Sequence, residues 1–199
     1  MGLVILISVP NEVNAWTQVS SNFSYDDDEQ SGGGWTYYQY DRDDGSIKIQ
    51  HDQWSGTAEC HIYIGHKVTT PSYGSKWKIQ IEMKHMVSYD ASAYWPGYVT
   101  VITEMQLHDD NHGVDWEYTT YSKSGQSYEI DTTKTYTRYP INELDPSSDW
   151  YVVLHVYLKF YGWSVMHSCP GSGNSYARFD LQYIEYQFVA AYGGGDPPV

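Results

Sequence analysis

The stretch Trp150-Tyr151-Val152-Val153-Leu154-His155-Val156-Tyr157-Leu158-Lys159-Phe160-Tyr161 decides the fold class. Trp150, Val152, Leu154, Val156, Leu158 and Phe160 form one apolar row, and Tyr151, His155, Tyr157, Lys159 and Tyr161 lie opposite. Successive side chains of a strand point to opposite faces, so this period of two puts oil on one side and polar groups on the other. The apolar pattern runs on to Met166, which makes 150–166 the longest extended run in the chain.

The same alternation recurs on either side. Trp77, Ile79, Ile81 and Met83 oppose Lys78, Gln80, Glu82 and Lys84 within the run 75–86. In 98–108, Val99, Val101, Met105 and Leu107 oppose Tyr98, Thr100, Glu104, Gln106 and His108. Further extended runs are read over 46–50, 57–68, 116–122, 127–133 and 177–189, with Ser124-Gly125 as a hairpin turn between two of them. Nearly every boundary carries Gly, Pro, Asp, Asn or Ser, the residues that supply turn geometry. No apolar helical period exceeds one turn. Many short alternating strands without helices predict an all-β, single-domain antiparallel β-sandwich. If the runs 75–86, 98–108 and 150–166 share one sheet, their polar rows form a single wet surface.

Composition agrees. The 199 residues include 21 Tyr and 8 Trp, and 17% are aromatic, which excludes a disordered chain. Such a length buries a full core without needing a metal or a disulfide framework. Eleven Lys and Arg against 25 Asp and Glu leave a net charge of -14, a field that repels phosphate backbones and anionic lipid. Nucleic acid is therefore excluded as a partner, and no apolar run approaches the ~20 residues of a membrane-spanning helix.

Leu3–Val9 is a short apolar run followed by Pro10 and a polar stretch ending at Ala15. It reads as a secretory signal peptide over 1–15, as a first β-strand, or as a strand donated to a neighbouring subunit. The domain proper then spans 16–190, and the Gly- and Pro-rich end 191–199 reads as a flexible tail. Asn22-Phe23-Ser24 is a glycosylation sequon. Cys60 and Cys169 fit neither a zinc spacing nor a redox pair; outside the cell they could form one disulfide. Together these features predict a secreted or extracellular protein.

The order of features resembles the concanavalin A-like (lectin/glucanase) jelly-roll superfamily. An acidic segment Asn22-Phe23-Ser24-Tyr25-Asp26-Asp27-Asp28 leads into the strand Trp35-Thr36-Tyr37 and then Gly45-Ser46-Ile47-Lys48-Ile49. The long Trp77–Lys84 strand follows, and Phe179-Asp180-Leu181-Gln182-Tyr183-Ile184-Glu185-Tyr186 closes the series. The chain is also similar to jelly-roll carbohydrate-binding modules. The resemblance implies a jelly roll that recognises a polysaccharide or glycan on a concave sheet face, as a lectin does. Lys78, Gln80, Glu82, Glu104, Gln106, His108, His155, Tyr157, Lys159 and Tyr161 are the candidate ligand-binding residues. Their tyrosines offer ring area with a polar tip, which suits a wet ligand.

Two other roles stay open. One is a polysaccharide lyase or glycoside hydrolase, with Glu82, Glu104, His155 and Tyr157 as candidate catalytic groups. The pair Glu82 and Glu104 would have to meet across neighbouring strands at the spacing glycoside hydrolysis needs. The Glu-x-Asp-x-x-Glu strand of laminarinase-like members is not matched, because Lys134 stands where the second Glu would be. The other role is a structural subunit that self-associates by strand donation. Asp26-Asp27-Asp28-Glu29 reads as an acidic turn, and the resemblance implies a structural calcium tying this N-terminal segment to the last strand, with Asp26, Asp28 and Asp180 as ligands. Carboxylate oxygens suit that hard cation.

Overall fold

The computed structural model describes residues 15–33, 35–53, 56–140, 142–167 and 177–191. Leu3–Val9, Cys169 and the tail from 192 onward lie outside the described residues, and with them the signal-peptide, strand-donation and disulfide expectations. Twelve strands follow one another: β1 (Thr17–Val19), β2 (Tyr25–Gly32), β3 (Trp35–Asp41), β4 (Ser46–Gln53), β5 (Thr57–Thr69), β6 (Trp77–Ala93), β7 (Tyr98–His108), β8 (Val114–Gly125), β9 (Ser127–Arg138), β10 (Asp149–Tyr161), β11 (Ser164–His167) and β12 (Ala177–Ala190). No helix occurs among the described residues.

The strands pair antiparallel into two sheets. One contains β2-β5-β10-β7-β8 in that order; the other contains β1, β3, β4, β6, β9, β11 and β12. Eight strands carry the topology, namely β4 to β10 and β12. In one sheet they lie as β4-β12-β6-β9, and in the other as β5-β10-β7-β8. In chain order this is first, eighth, third, sixth against second, seventh, fourth, fifth, the double Greek key of a jelly roll. The expected all-β sandwich is the observed fold.

The apolar rows meet between the sheets. Leu154, Val156 and Leu158 of β10, Ile62 and Ile64 of β5 and Val101 and Met105 of β7 face Ile79, Ile81 and Met83 of β6 and Phe179 and Leu181 of β12, all buried. At ~25 cal/mol per Å² this burial is the main term holding the two sheets together. Asp28 adds a polar tie at the sheet edge. The hydroxyls of Tyr38 and Tyr40 on β3 donate to its carboxylate at 2.6 and 2.7 Å, joining β2 in one sheet to β3 in the other.

Four local expectations change. First, the run 150–166 is two strands. Gly162, at φ 70°, turns the chain so that β10 stays in the five-stranded sheet and β11 joins the other. Second, Ser124-Gly125 is no hairpin, because β8 pairs with β7 and β9 pairs with β6; the chain crosses the sandwich there. Third, the acidic stretch Asp26–Glu29 is strand, not loop. Fourth, β6 lies in the seven-stranded sheet while β7 and β10 are neighbours in the other, so the three polar rows do not share a surface. Local alternation says which side chains share a face of one strand; it carries no information about the strand's neighbours.

Candidate functional site

The outward face of the five-stranded sheet gathers the polar rows of β2, β5, β10, β7 and β8. Cross-strand register builds it tier by tier. His155 lies between Tyr63 and Glu104, Tyr157 between His61 and Ile102, and Lys159 between Glu59 and Thr100. Tyr161 lies between Thr57 and Tyr98, and Tyr151 between Lys67 and His108. β2 brings Asp27 beside Tyr63 and Glu29 beside His61.

Rings run the length of this face. Tyr25 packs on Tyr151 with centroids 5.0 Å apart and on His112 at 5.1 Å. Tyr63 stacks on His155 at 4.5 Å and 7°, and His61 lies 4.5 Å from Tyr157. Tyr98 and Tyr161 stack at 5.1 Å and end the row. Tyr63, Tyr98, Tyr151 and Tyr157 are half-buried and Tyr161 is exposed, so ring surface stays open to solvent.

Beneath the rings runs a hydrogen-bonded network. Glu104 Oε2 lies 2.9 Å from His155 Nδ1 and 2.8 Å from Gln106 Nε2. Gln106 Oε1 lies 2.8 Å from His108 Nε2, and His155 Nε2 lies 3.0 Å from His61 Nδ1. A carboxylate only accepts, so His155 Nδ1–H and Gln106 Nε2–H both donate to Glu104. The directions then propagate. His108 donates to Gln106; with His155 neutral, its Nε2 is left as an acceptor and His61 Nδ1–H donates to it. The chain assigns His61 its Nδ1–H tautomer, with Nε2 as its remaining acceptor.

The hydrogen bond from His155 holds the Glu104 carboxyl below its ordinary range, against the opposing effect of burial. Burial, then the neighbouring His155, pushes His61 down. Burial likewise pushes His108 down to about 4 and raises Tyr63 and Tyr157. Tyr25 is pushed up to about 12 by burial and by Asp27. Both lysines of the face are committed, Lys159 to Glu59 at 2.6 Å and Lys67 to Asp149 at 2.7 Å.

Of the ten candidate binding residues, seven come together here: Glu104, Gln106, His108, His155, Tyr157, Lys159 and Tyr161. Lys78, Gln80 and Glu82 do not, since they sit on the outward face of β6 in the opposite sheet. There Glu82 accepts from Thr137 and Tyr183, and Gln80 bonds Tyr139 and Gln187. Glu82 and Glu104 therefore face away from each other on opposite sides of the sandwich, and no glycosidase pair forms between them. Glu104, His155 and Tyr157 remain together.

Each of the three candidate calcium ligands has a partner within the protein. Asp26 pairs with Arg42 at 3.0 Å, Asp28 is engaged by Tyr38 and Tyr40, and Asp180 pairs with Arg178 at 2.8 Å. Among the described residues no three His, Cys, Asp or Glu side chains converge as a metal-holding group. Cys60 is buried in the core, and burial raises its thiol to about 12.

Sequence reasoning missed Tyr25, Asp27 and Glu29 on β2, Glu59, His61 and Tyr63 on β5, and Tyr98 and Tyr151. The signal for β5 was present. Ala58, Cys60, Ile62 and Ile64 alternate with Glu59, His61 and Tyr63 by the same period of two. Missing was the pairing that sets β5 beside β10.

No protein-family model and no curated relative matches the sequence. Among solved structures, the xylan-binding module CBM15 is similar over 89% of this chain and 100% of its own, at 7% identity and a TM-score of 0.31. The C-terminal family 22 carbohydrate-binding module of Clostridium thermocellum Xyn10B is similar over 95% and 91%, at 15% identity and a TM-score of 0.20. The enzymatically active domain of tailspike protein 4 from bacteriophage CBA120 is similar over 83% of this chain, at 10% identity and a TM-score of 0.32. This chain spans 20% of that tailspike chain. Several of these neighbours are carbohydrate-binding modules. The functional reading rests on the face itself.

Proposed function

We propose that the protein binds a carbohydrate chain on the outward face of its five-stranded sheet and does not turn it over. The observation that carries this reading is the row of solvent-facing rings from Tyr151 to Tyr161, set on a hydrogen-bonded layer of Glu104, Gln106, His108, His155 and His61. Rings offer flat apolar area to the C–H faces of a sugar, and the planar polar groups between them meet hydroxyls. The network fixes the imidazoles before a ligand arrives, which lowers the ordering cost of binding.

The charge pattern narrows the ligand to a neutral glycan. Asp27, Glu29, Glu59 and Glu104 line the face, and both of its lysines are already neutralised. A polyuronate would meet repulsion with no uncommitted cation to offset it. The same point weighs against a lyase, which must neutralise a uronate carboxylate while its base removes a proton. An extracellular setting accords with the reading, and Asn22 of the sequon lies exposed in a turn.

Affinity gel electrophoresis tests this. Wild-type protein is run through gels containing xylan, mixed-linkage β-glucan, galactan, polygalacturonate or alginate. Retardation is expected on at least one neutral polymer and on neither polyuronate. Tyr157→Ala and Tyr161→Ala should each weaken retention about ten-fold, the ~1.4 kcal/mol that a central aromatic contact exceeds. Their melting temperatures should stay within a few degrees of wild type. Retention on none of the neutral polymers, or wild-type retention by both variants, overturns the proposal.

A further inference from the structure

Further exposed rings gather where β10 ends. Tyr157, Lys159 and Tyr161 point outward at alternate positions, and one further step through Gly162 reaches Trp163. Across from it, the turn between β6 and β7 carries Tyr94 and Trp95. These are among the most exposed large rings described: Trp95 is 84% exposed, Tyr94 66%, and Trp163 and Tyr161 40% each. Tyr94 lies 4.9 Å from Trp163, beside the Tyr98–Tyr161 stack. Residues 94–98 and 161–163 include no charged side chain.

The backbone holds these rings in place. Tyr94 N–H donates to the Trp163 carbonyl at 2.9 Å, Gly97 N–H to the Tyr94 carbonyl at 2.6 Å, and Gly162 N–H to the Gly56 carbonyl at 2.7 Å. The two turns touch through glycine. A Cβ on Gly162 would lie 2.8 Å from the Gly97 Cα, and a Cβ on Gly97 would lie 2.7 Å from the Tyr161 carbonyl oxygen. The sequence therefore spends two glycines on bringing these turns together, while leaving large aromatic rings in water. Isolated exposed apolar residues are ordinary, but a grouped and braced set marks a contact surface.

We propose that the Tyr94, Trp95 and Trp163 turns form a terminal subsite that stacks the end segment of the carbohydrate chain bound along β10. This deepens the reading above and rests on it: the ligand is an extended polymer lying lengthwise, not a single sugar. The dimensions require it. Tyr151 to Tyr161 spans ten residues of strand, about 34 Å at ~3.4 Å per residue. A ligand that touched one or two rings would leave the rest of this row, and the turn beyond it, without use. The occupant is read as the same chain because the turns adjoin the Tyr98–Tyr161 end of the face, with Gly97 packed against the backbone of Tyr161 and Trp163.

The test uses the full chain and the neutral polysaccharide that retards it most strongly, together with a length-graded ladder of its oligosaccharides in calorimetry. Wild-type affinity should rise with chain length and then level off. Trp95→Ala should weaken the longest ligands about ten-fold and leave the shortest binding oligosaccharide unaffected; Trp95→Phe should restore binding. Acrylamide quenching of tryptophan fluorescence should fall when the long ligand binds wild type and fall less with Trp95→Ala. Trp95 is exposed, so a matching melting temperature confirms that the variant is folded. If Tyr157→Ala loses binding while Trp95→Ala binds long chains as wild type does, the terminal subsite is wrong and the face reading stands. Affinity independent of chain length also refutes the subsite. If Tyr157→Ala and Trp95→Ala both bind as wild type, both readings fall together. Loss of a dimer in Trp95→Ala, with polysaccharide binding intact, would reassign the turns to self-association and overturn the proposal.

Discussion

Acidification from pH 7.5 to 5 should cost this domain about 6 kcal/mol, through three histidines kept neutral inside it. His51, His85 and His108 are at most 2% exposed, and burial pushes each down to about 4. His51 stacks on Phe160 at 3.7 Å with Nδ1 at 2.6 Å from Thr36 Oγ1. His85 Nε2 meets Thr120 Oγ1 at 2.9 Å, and His108 Nε2 donates to Gln106. The second ring nitrogen of each has no hydrogen-bond partner among the described residues, so a second proton would be a buried charge without an acceptor. In the unfolded chain a histidine titrates near 6.5. Between 6.5 and 4 the unfolded state therefore binds more protons, and stability falls as pH falls. Linkage gives about 0.8 kcal/mol per histidine at pH 6 and about 2 kcal/mol at pH 5. The total at pH 5 is comparable with the ~5–15 kcal/mol stability of a typical domain. Carboxylates do not confound this window, because in the unfolded chain they take up protons near pH 4 and below. Urea unfolding followed by tryptophan fluorescence at pH 7.5, 6 and 5 measures it, with midpoints falling at constant slope against denaturant. His85→Leu should remove about 2 kcal/mol of the loss between pH 7.5 and 5. Equal stability at pH 7.5 and 5, or an unchanged pH dependence in His85→Leu, refutes the reasoning.

Two further changes probe the polar ties. Asp28→Ala removes the one carboxylate that accepts from both Tyr38 and Tyr40 across the sheet edge, and should lower stability by about 2–3 kcal/mol in urea unfolding. Tyr38, held at about 12 largely by that hydrogen bond, should then ionise at lower pH in an ultraviolet titration. Glu104→Ala strands the His155 and Gln106 donors and should cost a similar 2–3 kcal/mol, whereas Glu104→Gln retains an acceptor and should cost less. Nitrogen-15 shifts of His61 report the rest: Nδ1 should be protonated in wild type, and a mixed tautomer should appear in Glu104→Ala.

How far the sequence reaches is plain from β7 and β10. Their inward and outward rows, 98–108 and 150–161, are legible residue by residue, because alternation is enforced by bond geometry within each strand. Seven candidate binding residues lie together because β7 and β10, whose outward rows are legible, are also neighbours in one sheet. Lys78, Gln80 and Glu82 show the limit. They obey the same alternation, yet β6 belongs to the other sheet, and nothing within 77–93 records that β12 and β9 are its neighbours. The acidic run Asp26–Glu29 misleads in another way. Its charge suggests a loop, but on an edge strand alternate carboxylates can face water while Asp28 turns inward to two tyrosine hydroxyls.

The amino-acid order alone determines that this chain is a sandwich and which side chains each strand turns to the oil, and its net charge sets the expectation against polyanionic partners. Those are consequences of short-range stereochemistry and of total charge. Tertiary structure decides which strands lie side by side, and so which rings make one row and which turns gather at its end. That decision belongs to contacts between residues far apart in the chain. His61 meets His155, and Gly97 meets Gly162, only once the loops between them have closed and the two sheets have packed.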